Sequence, residues 1–170
     1  MSIIPSTQTI NDDFQCHLIS KYTTHPLLHD LIRLIQQSQY VLLNTINDQH
    51  QNTPAIIQLG IIGERKTTMI LVQLQHLPRN QKSLRFWLIR SLVRAMFKND
   101  KTIYVWGDGK QQLTSYIDTN VFDLDDLDQP TFINLRSASP QIQSDLDFFR
   151  RYRIELMVVN GTLNMNIKIF

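Results

Sequence analysis

Three apolar runs lie back to back within residues 39–75, and they constrain the fold more than any other stretch. The first is Tyr40, Val41, Leu42 and Leu43, with no helical spacing, followed by the polar cluster at 47–52. Pro54 opens the second, residues 55–62, and Gly63, Glu64, Arg65 and Lys66 close it. The third spans 67–75, where Val72 and Leu74 alternate with Gln73 and Gln75. Short runs rich in Ile, Val and Leu, bounded by turn residues, read as strands. The links are too short for crossovers, so an antiparallel meander is expected.

Around this centre the pattern turns helical. Residues 1–24 form a polar lead-in with one strand at 14–19. Thr24 or His25 then caps a helix over 26–38, with Pro26 in its first turn. Leu27, Leu28, Leu31, Ile32 and Ile35 form its apolar stripe. After the meander, Ser83 caps a second helix over 83–97. Its expected buried stripe is Leu84, Leu88, Ile89, Leu92, Val93, Ala95 and Met96; Trp87, Arg90 and Arg94 share the opposite face. A fourth strand is expected over 101–106, a helix over 110–117, and a fifth strand over 120–124, before an acidic loop and Pro130. In the tail, Ser139 and Pro140 mark a helix start, with Ile142, Leu146 and Phe149 at helical spacing. Two readings of the end stay open. A hairpin about Asn160 and Gly161 pairs Val158 with Leu163, Leu156 with Met165 and Ile154 with Ile167. Alternatively the helix continues to Val158, and Asn160 and Gly161 form its C-cap.

The chain has 170 residues, about one domain, with 42% hydrophobic and 19% charged residues, which is globular composition. A net charge of +2 is too small to imply nucleic acid by itself. The single cysteine, Cys16, excludes an internal disulfide and a cysteine-based zinc site. No apolar run approaches the roughly 20 residues of a membrane span, so no membrane is expected. The first residues are neither basic nor continuously apolar, so no secretory signal is visible. An intracellular protein, cytoplasmic or nuclear, is the expectation.

The order of elements resembles the ribonuclease H-like fold of the DEDD 3′–5′ exonucleases, the ribonuclease D and Werner-type family. YVLLNTIND resembles the first motif, an apolar strand ending in Asp-x-Glu. AIIQLG resembles the second strand, TIYVWGDGKQQL the strand and helix start of the second acidic motif, and NVFDLDDL the fifth strand. The resemblance spans about residues 26–127. It implies an α/β fold with one mixed sheet, strand order 3-2-1-4-5 and flanking helices. The divisions it suggests are a lead-in over 1–24, a core over 25–130, and a divergent C-terminal helix and tail over 131–170.

The family's chemistry uses four carboxylates holding two divalent ions about 4 Å apart. Asn44 stands where the resemblance places the first Asp, and Ile46 where it places the Glu. At the second motif the candidate is Asp108, a weak metal ligand by itself, or Gln111 if the helix is aligned one turn later. Asp145 and Asp147 lie near the expected last motif without its Tyr or His. The resemblance therefore implies a degenerate exonuclease-like domain that acts by binding single-stranded RNA or DNA, or a protein partner, without hydrolysis. No cofactor is expected on this reading. The alternatives are an active exonuclease with an unusual Mg²⁺ or Mn²⁺ site, and an interaction domain unrelated to nucleic acid.

Other candidates are weighed against plainer readings. Trp87 with Arg90 and Arg94 is a candidate nucleic-acid face, since stacking and cations suit single strands; a solvated helix face is the plainer account. His25 and His29 have metal-site spacing but no third ligand. The acidic run Asp123, Asp125, Asp126 and Asp128 lacks the glycine and final Glu of a calcium loop, so a solvated loop is expected.

Overall fold

The structure is a computed structural model that describes residues 14–62, 66–137, 152–159 and 162–169. Eight strands occur among them: β1 (Phe14–Ile19), β2 (Tyr40–Asn47), β3 (Pro54–Ile62), β4 (Thr67–Gln73), β5 (Thr102–Val105), β6 (Thr131–Asn134), β7 (Tyr152–Val159) and β8 (Thr162–Ile169). Three α-helices accompany them: α1 (His25–Gln37), α2 (Leu84–Arg94) and α3 (Gly109–Thr114). The first six strands form one sheet in the order β1-β4-β3-β2-β5-β6. Counted from β2, the five strands β4-β3-β2-β5-β6 run in the order 3-2-1-4-5, and β1 adds outside β4 in parallel. β2, β3 and β4 are the antiparallel meander, while β5 runs parallel to β2 and β6 parallel to β5.

β2 is central, flanked by β3 and β5. Its odd positions Val41 and Leu43 join Ile57, Leu59, Ile61, Ile70, Val72 and Ile103 in the main core. Helices α1, α2 and α3 supply the rest of that core through residues such as Leu28, Ile35, Ile89, Leu92 and Leu113. On the opposite sheet face Ala55, Ile56, Met69 and Leu71 form a second buried cluster. Every residue of β4 from Thr67 to Val72 is buried, which explains why its apolar run is continuous.

The second helix follows the expected cap but not the whole expected stripe. Ser83 Oγ accepts from the Phe86 N–H, and this cap sets the helical phase. Phe86 is then buried, whereas Leu84 is 62% exposed. The buried arc is centred between Ile89 and Leu92; at about 100° per residue, Leu84 falls at its rim in the first turn. Thr24 occupies the N-cap of α1, but its side chain makes no capping bond.

The fifth strand is also corrected. Residues 120–124 form no strand: Asn120 has a φ of 60°, and Asp123 and Asp126 cap one another around a 3-10 turn, Leu124–Asp128. These local side-chain bonds outcompete a ladder. Val121 and Phe122 are buried all the same, so the apolar signal was real and its conformation was not that of a strand. The strand that pairs with β5 is β6, beyond residue 130, so the sheet overruns the expected 25–130 core at both ends.

In the tail, β7 and β8 pair in antiparallel register, with Val158 opposite Leu163, Leu156 opposite Met165 and Ile154 opposite Ile167. This is the hairpin alternative, and it forms a separate two-stranded sheet. The expected helix with Ile142, Leu146 and Phe149, and the acids Asp145 and Asp147, lie outside the described residues. Among the described residues no helix is long and apolar enough to cross a membrane.

One buried cation ties the two ends of this architecture together. The Lys101 side chain is 2% exposed. Its Nζ donates to the carbonyls of Gln36 at 2.8 Å and Ser38 at 2.6 Å, at the C-terminal end of α1. A cation there satisfies orphan carbonyls and complements the helix dipole. Lys101→Met should keep the packing of the stem and lose both bonds, costing about 2–4 kcal/mol of unfolding free energy. Chemical denaturation of the two proteins measures this; an unshifted midpoint would show that the cap is dispensable.

Candidate functional site

β2 and β5 are parallel neighbours whose chains depart in opposite directions, β2 into β3 on one side and β5 through α3 to β6 on the other. Such a switch point in an α/β sheet opens a crevice beyond the carboxyl ends of the strands. The residues at that crevice are 44–47 of β2 and the turn 106–109 entering α3. Both motif stretches from the sequence meet here.

The turn is held tightly. Gly107 has a φ of 107°, a conformation that favours glycine, and its N–H donates to Asn134 Oδ1 at 3.0 Å. Gly109 is buried so closely that a Cβ would lie 2.6 Å from Phe132 Cδ1 and 2.9 Å from Val105 Cγ1. Gln112 then clamps the turn to β2. Its Nε2 donates to the Trp106 carbonyl at 2.8 Å, and its Oε1 accepts from Thr45 Oγ1 at 3.4 Å. Tyr116 completes the join by donating to Asn47 Oδ1 at 2.8 Å.

The four candidate positions fall into two separate pairs. Asn44 and Ile46 share one face of β2 but have different surroundings. Asn44 is exposed, and its Nδ2 donates to Gln58 Oε1 at 3.3 Å on the paired strand. Gln58 in turn reaches Met69 Sδ at 3.2 Å. Ile46 packs against the buried cluster of Ala55, Ile56, Met69 and Leu71. Asp108 is the N-cap of α3, its Oδ1 accepting from the Gln111 N–H at 3.0 Å. Gln111 is an exposed helical residue.

This donor set fits a divalent metal poorly. Mg²⁺ and Mn²⁺ select anionic oxygens. Here one position is an amide, one an alkyl chain and one a carboxylate that caps a helix. Among the described residues no three His, Cys, Asp or Glu side chains are grouped to hold an ion. His29 is exposed on α1, and no third ligand joins it and His25. Cys16 is half-buried, packs against the second-face cluster, and burial pushes its thiol pKa up, away from the reactive thiolate.

The basic face of α2 has a different occupation from the one its sequence suggests. Arg90 donates to Asp123 and to the Asn120 carbonyl. Arg94 donates to Asp126, with the shortest contact at 2.9 Å. The acidic run is accordingly not a simple solvated loop: the Asp126 side chain is 6% exposed, and Lys110 pairs with Asp128 at 2.8 Å. Trp87 remains exposed beside these pairs.

Thr45, Asn47, Gln112 and Tyr116 escaped the sequence reading. They are neutral polar residues joined across separations of 67 and 69 residues, and no periodicity announces such pairs. Burial pushes the Tyr116 hydroxyl from its ordinary pKa of 10.0 up to about 12, with a Thr45 hydrogen bond acting the other way. A raised folded-state pKa contributes stability that is complete below pH 10 and is lost as pH rises through about 12. Stability should fall across that window in the native chain, and Tyr116→Phe should flatten the fall. Parallel alkaline denaturation curves for the two proteins would refute the linkage.

No family model matches the chain, and no curated protein matches it. Among solved structures, the EXD2 exonuclease domain aligns over 78% of this chain and 62% of that one at 13% identity, with a TM-score of 0.50. The EXD2 exonuclease domain soaked in Mg and GMP aligns over 71% of this chain and 56% of that one at 14% identity, also with a TM-score of 0.50. The Aedes aegypti Nibbler EXO domain aligns over 95% of this chain and 68% of that one at 12% identity, with a TM-score of 0.44. The chain therefore spans less than two thirds of the EXD2 chains it matches. At these identities the likeness is one of fold: a single mixed six-stranded sheet with flanking helices, the ribonuclease H-like architecture of exonuclease domains.

Proposed function

We propose that this exonuclease-like domain binds single-stranded nucleic acid without hydrolysing it. The observation that carries this reading is the pair Asn44 and Ile46 at the carboxyl end of β2. Two-metal hydrolysis depends on carboxylates that concentrate the ions and fix the reacting geometry. Asn44 offers a neutral amide already bonded to Gln58, and Ile46 offers an alkyl chain committed to a buried cluster. Asp108 alone is a poor site for Mg²⁺, which gives up its waters reluctantly. The nucleic-acid part of the reading is supported by the fold shared with EXD2, whose exonuclease domain was soaked in Mg and GMP. Arg90 and Arg94 contribute to the fold on this reading, and Trp87 is the member of their face left to contact a ligand.

One observation favours a protein partner as the second reading. Leu84 and Trp87 are three residues apart on α2, both largely exposed, and so share one helix face.

The test is an assay of the full chain on end-labelled single-stranded RNA and DNA with excess Mg²⁺ or Mn²⁺. We expect intact strands and a mobility shift that weakens as salt rises. Metal-dependent shortening that vanishes in the triple variant Asp108→Ala, Asp145→Ala, Asp147→Ala would instead establish an active enzyme with an unusual site. Intact strands with no shift at any salt would favour the protein-partner reading. In the same series, Arg94→Ala should lower stability by about 1–3 kcal/mol, because the buried Asp126 carboxylate loses its ion pair. Strand affinity should change little.

A further inference from the structure

We propose that Trp106, in the bend after β5, and the paired residues Asn44 and Gln58 of β2 and β3 hold one unstacked nucleobase, with Trp106 as the stacking surface and the two amides facing the edge of the base. The inference rests on the nucleic-acid reading above and adds the chemistry by which the site recognises its ligand.

The arrangement follows from register. β2 and β5 pair Leu42 with Tyr104 and Leu43 with Val105; the next residues are Asn44, still in β2, and Trp106, in the bend that follows β5. On the other side of β2, Asn44 is directly opposite Gln58. Tyr104, Leu42, Asn44 and Gln58 share one face of the sheet, and Trp106 leaves β5 two positions beyond Tyr104. Gln112 secures the arrangement independently of the ladder, since one amide holds both the Trp106 carbonyl and the hydroxyl of Thr45, the neighbour of Asn44. Trp106 therefore has an anchored backbone beneath an indole that is 47% exposed.

The groups presented define the ligand. An exposed indole fixed at its backbone offers a flat π-face, which stacks on any base. The Asn and Gln amides each offer a donor and an acceptor, the pair of functions that meets a base edge. Neither Asn44, Gln58 nor Trp106 carries a formal charge, and the nearby Asp108 carboxylate turns to the Gln111 N–H. Such a set suits a neutral heteroaromatic ring better than a phosphate or a metal ion. Tyr104 and Tyr40, with ring centroids 6.0 Å apart, continue the aromatic character along the same sheet face. Binding through these groups needs no metal and releases few counterions, so its salt dependence is shallow.

The full native chain is titrated with a single-stranded oligodeoxyadenylate in the presence of EDTA, following tryptophan emission. The chain has two tryptophans, so the same titration of Trp106→Phe isolates the share of the quenching that belongs to Trp106. A strand of the same length made of abasic deoxyribose units is titrated in parallel. The expected result is saturable quenching by the base-bearing strand and binding of the abasic strand weakened about tenfold or more. Trp106→Ala should weaken the base-bearing strand about tenfold to a hundredfold by anisotropy, with Trp106→Phe between them. Asn44→Ala should weaken it as well. Thermal melts confirm that these exposed substitutions leave the fold intact. Equal affinity for the two strands, or full affinity in Trp106→Ala, would overturn the base-holding site while leaving the domain a nucleic-acid binder through its backbone contacts. Absence of binding by the full chain to either strand would overturn the nucleic-acid reading itself.

Discussion

The two-residue period of β2 governs most of what this molecule can do. Val41 and Leu43 must face the helices, because they fill the core between β3 and β5 beneath α1 and α2. That requirement sends Leu42, Asn44 and Ile46 to the other face, whatever their chemistry. A slip of one residue would exchange the two sets and expose the core. Antiparallel pairing with β3 and parallel pairing with β5 hold the register from both sides.

The acidic residues around this centre are largely spent on structure. Asp108 caps α3, and Asp48 accepts from the backbone N–H groups of His50 and Gln51. Asp123 and Asp126 cap each other's turn and receive Arg90 and Arg94 of α2. Each carboxylate that secures a loop in this way is less available to an ion. The crevice at the end of β2 and β5 is correspondingly lined by amides, hydroxyls and aromatic rings.

The meander, the amphipathic α1 and the Ser83 cap were legible because each is written in short-range periodicity or turn chemistry, whereas the strand order came from the resemblance. The resemblance of YVLLNTIND and TIYVWGDGKQQL to family motifs located both sides of the crevice. Residues 120–124 were misjudged because Val121 and Phe122 signal burial without specifying backbone shape, and the mutual capping of Asp123 and Asp126 decided the shape. Arg90 and Arg94 looked like a ligand-facing pair because their partners lie about thirty residues away. The buried Lys101 and the Gln112 clamp were illegible for the same reason: a polar side chain does not announce its distant partner.

The packing of Ile46 makes the two β2 positions unequal in their capacity for change. Position 44 is open to water, and an aspartate there would stand opposite Gln58. Position 46 adjoins Ile56, Met69 and Leu71, so a glutamate would have to shed its hydration or dislodge its neighbours. Position 44 can change at little cost, and position 46 is held by its surroundings. A lineage or an engineer moving this fold between charged and neutral chemistry would pass through position 44 readily and meet a ratchet at position 46.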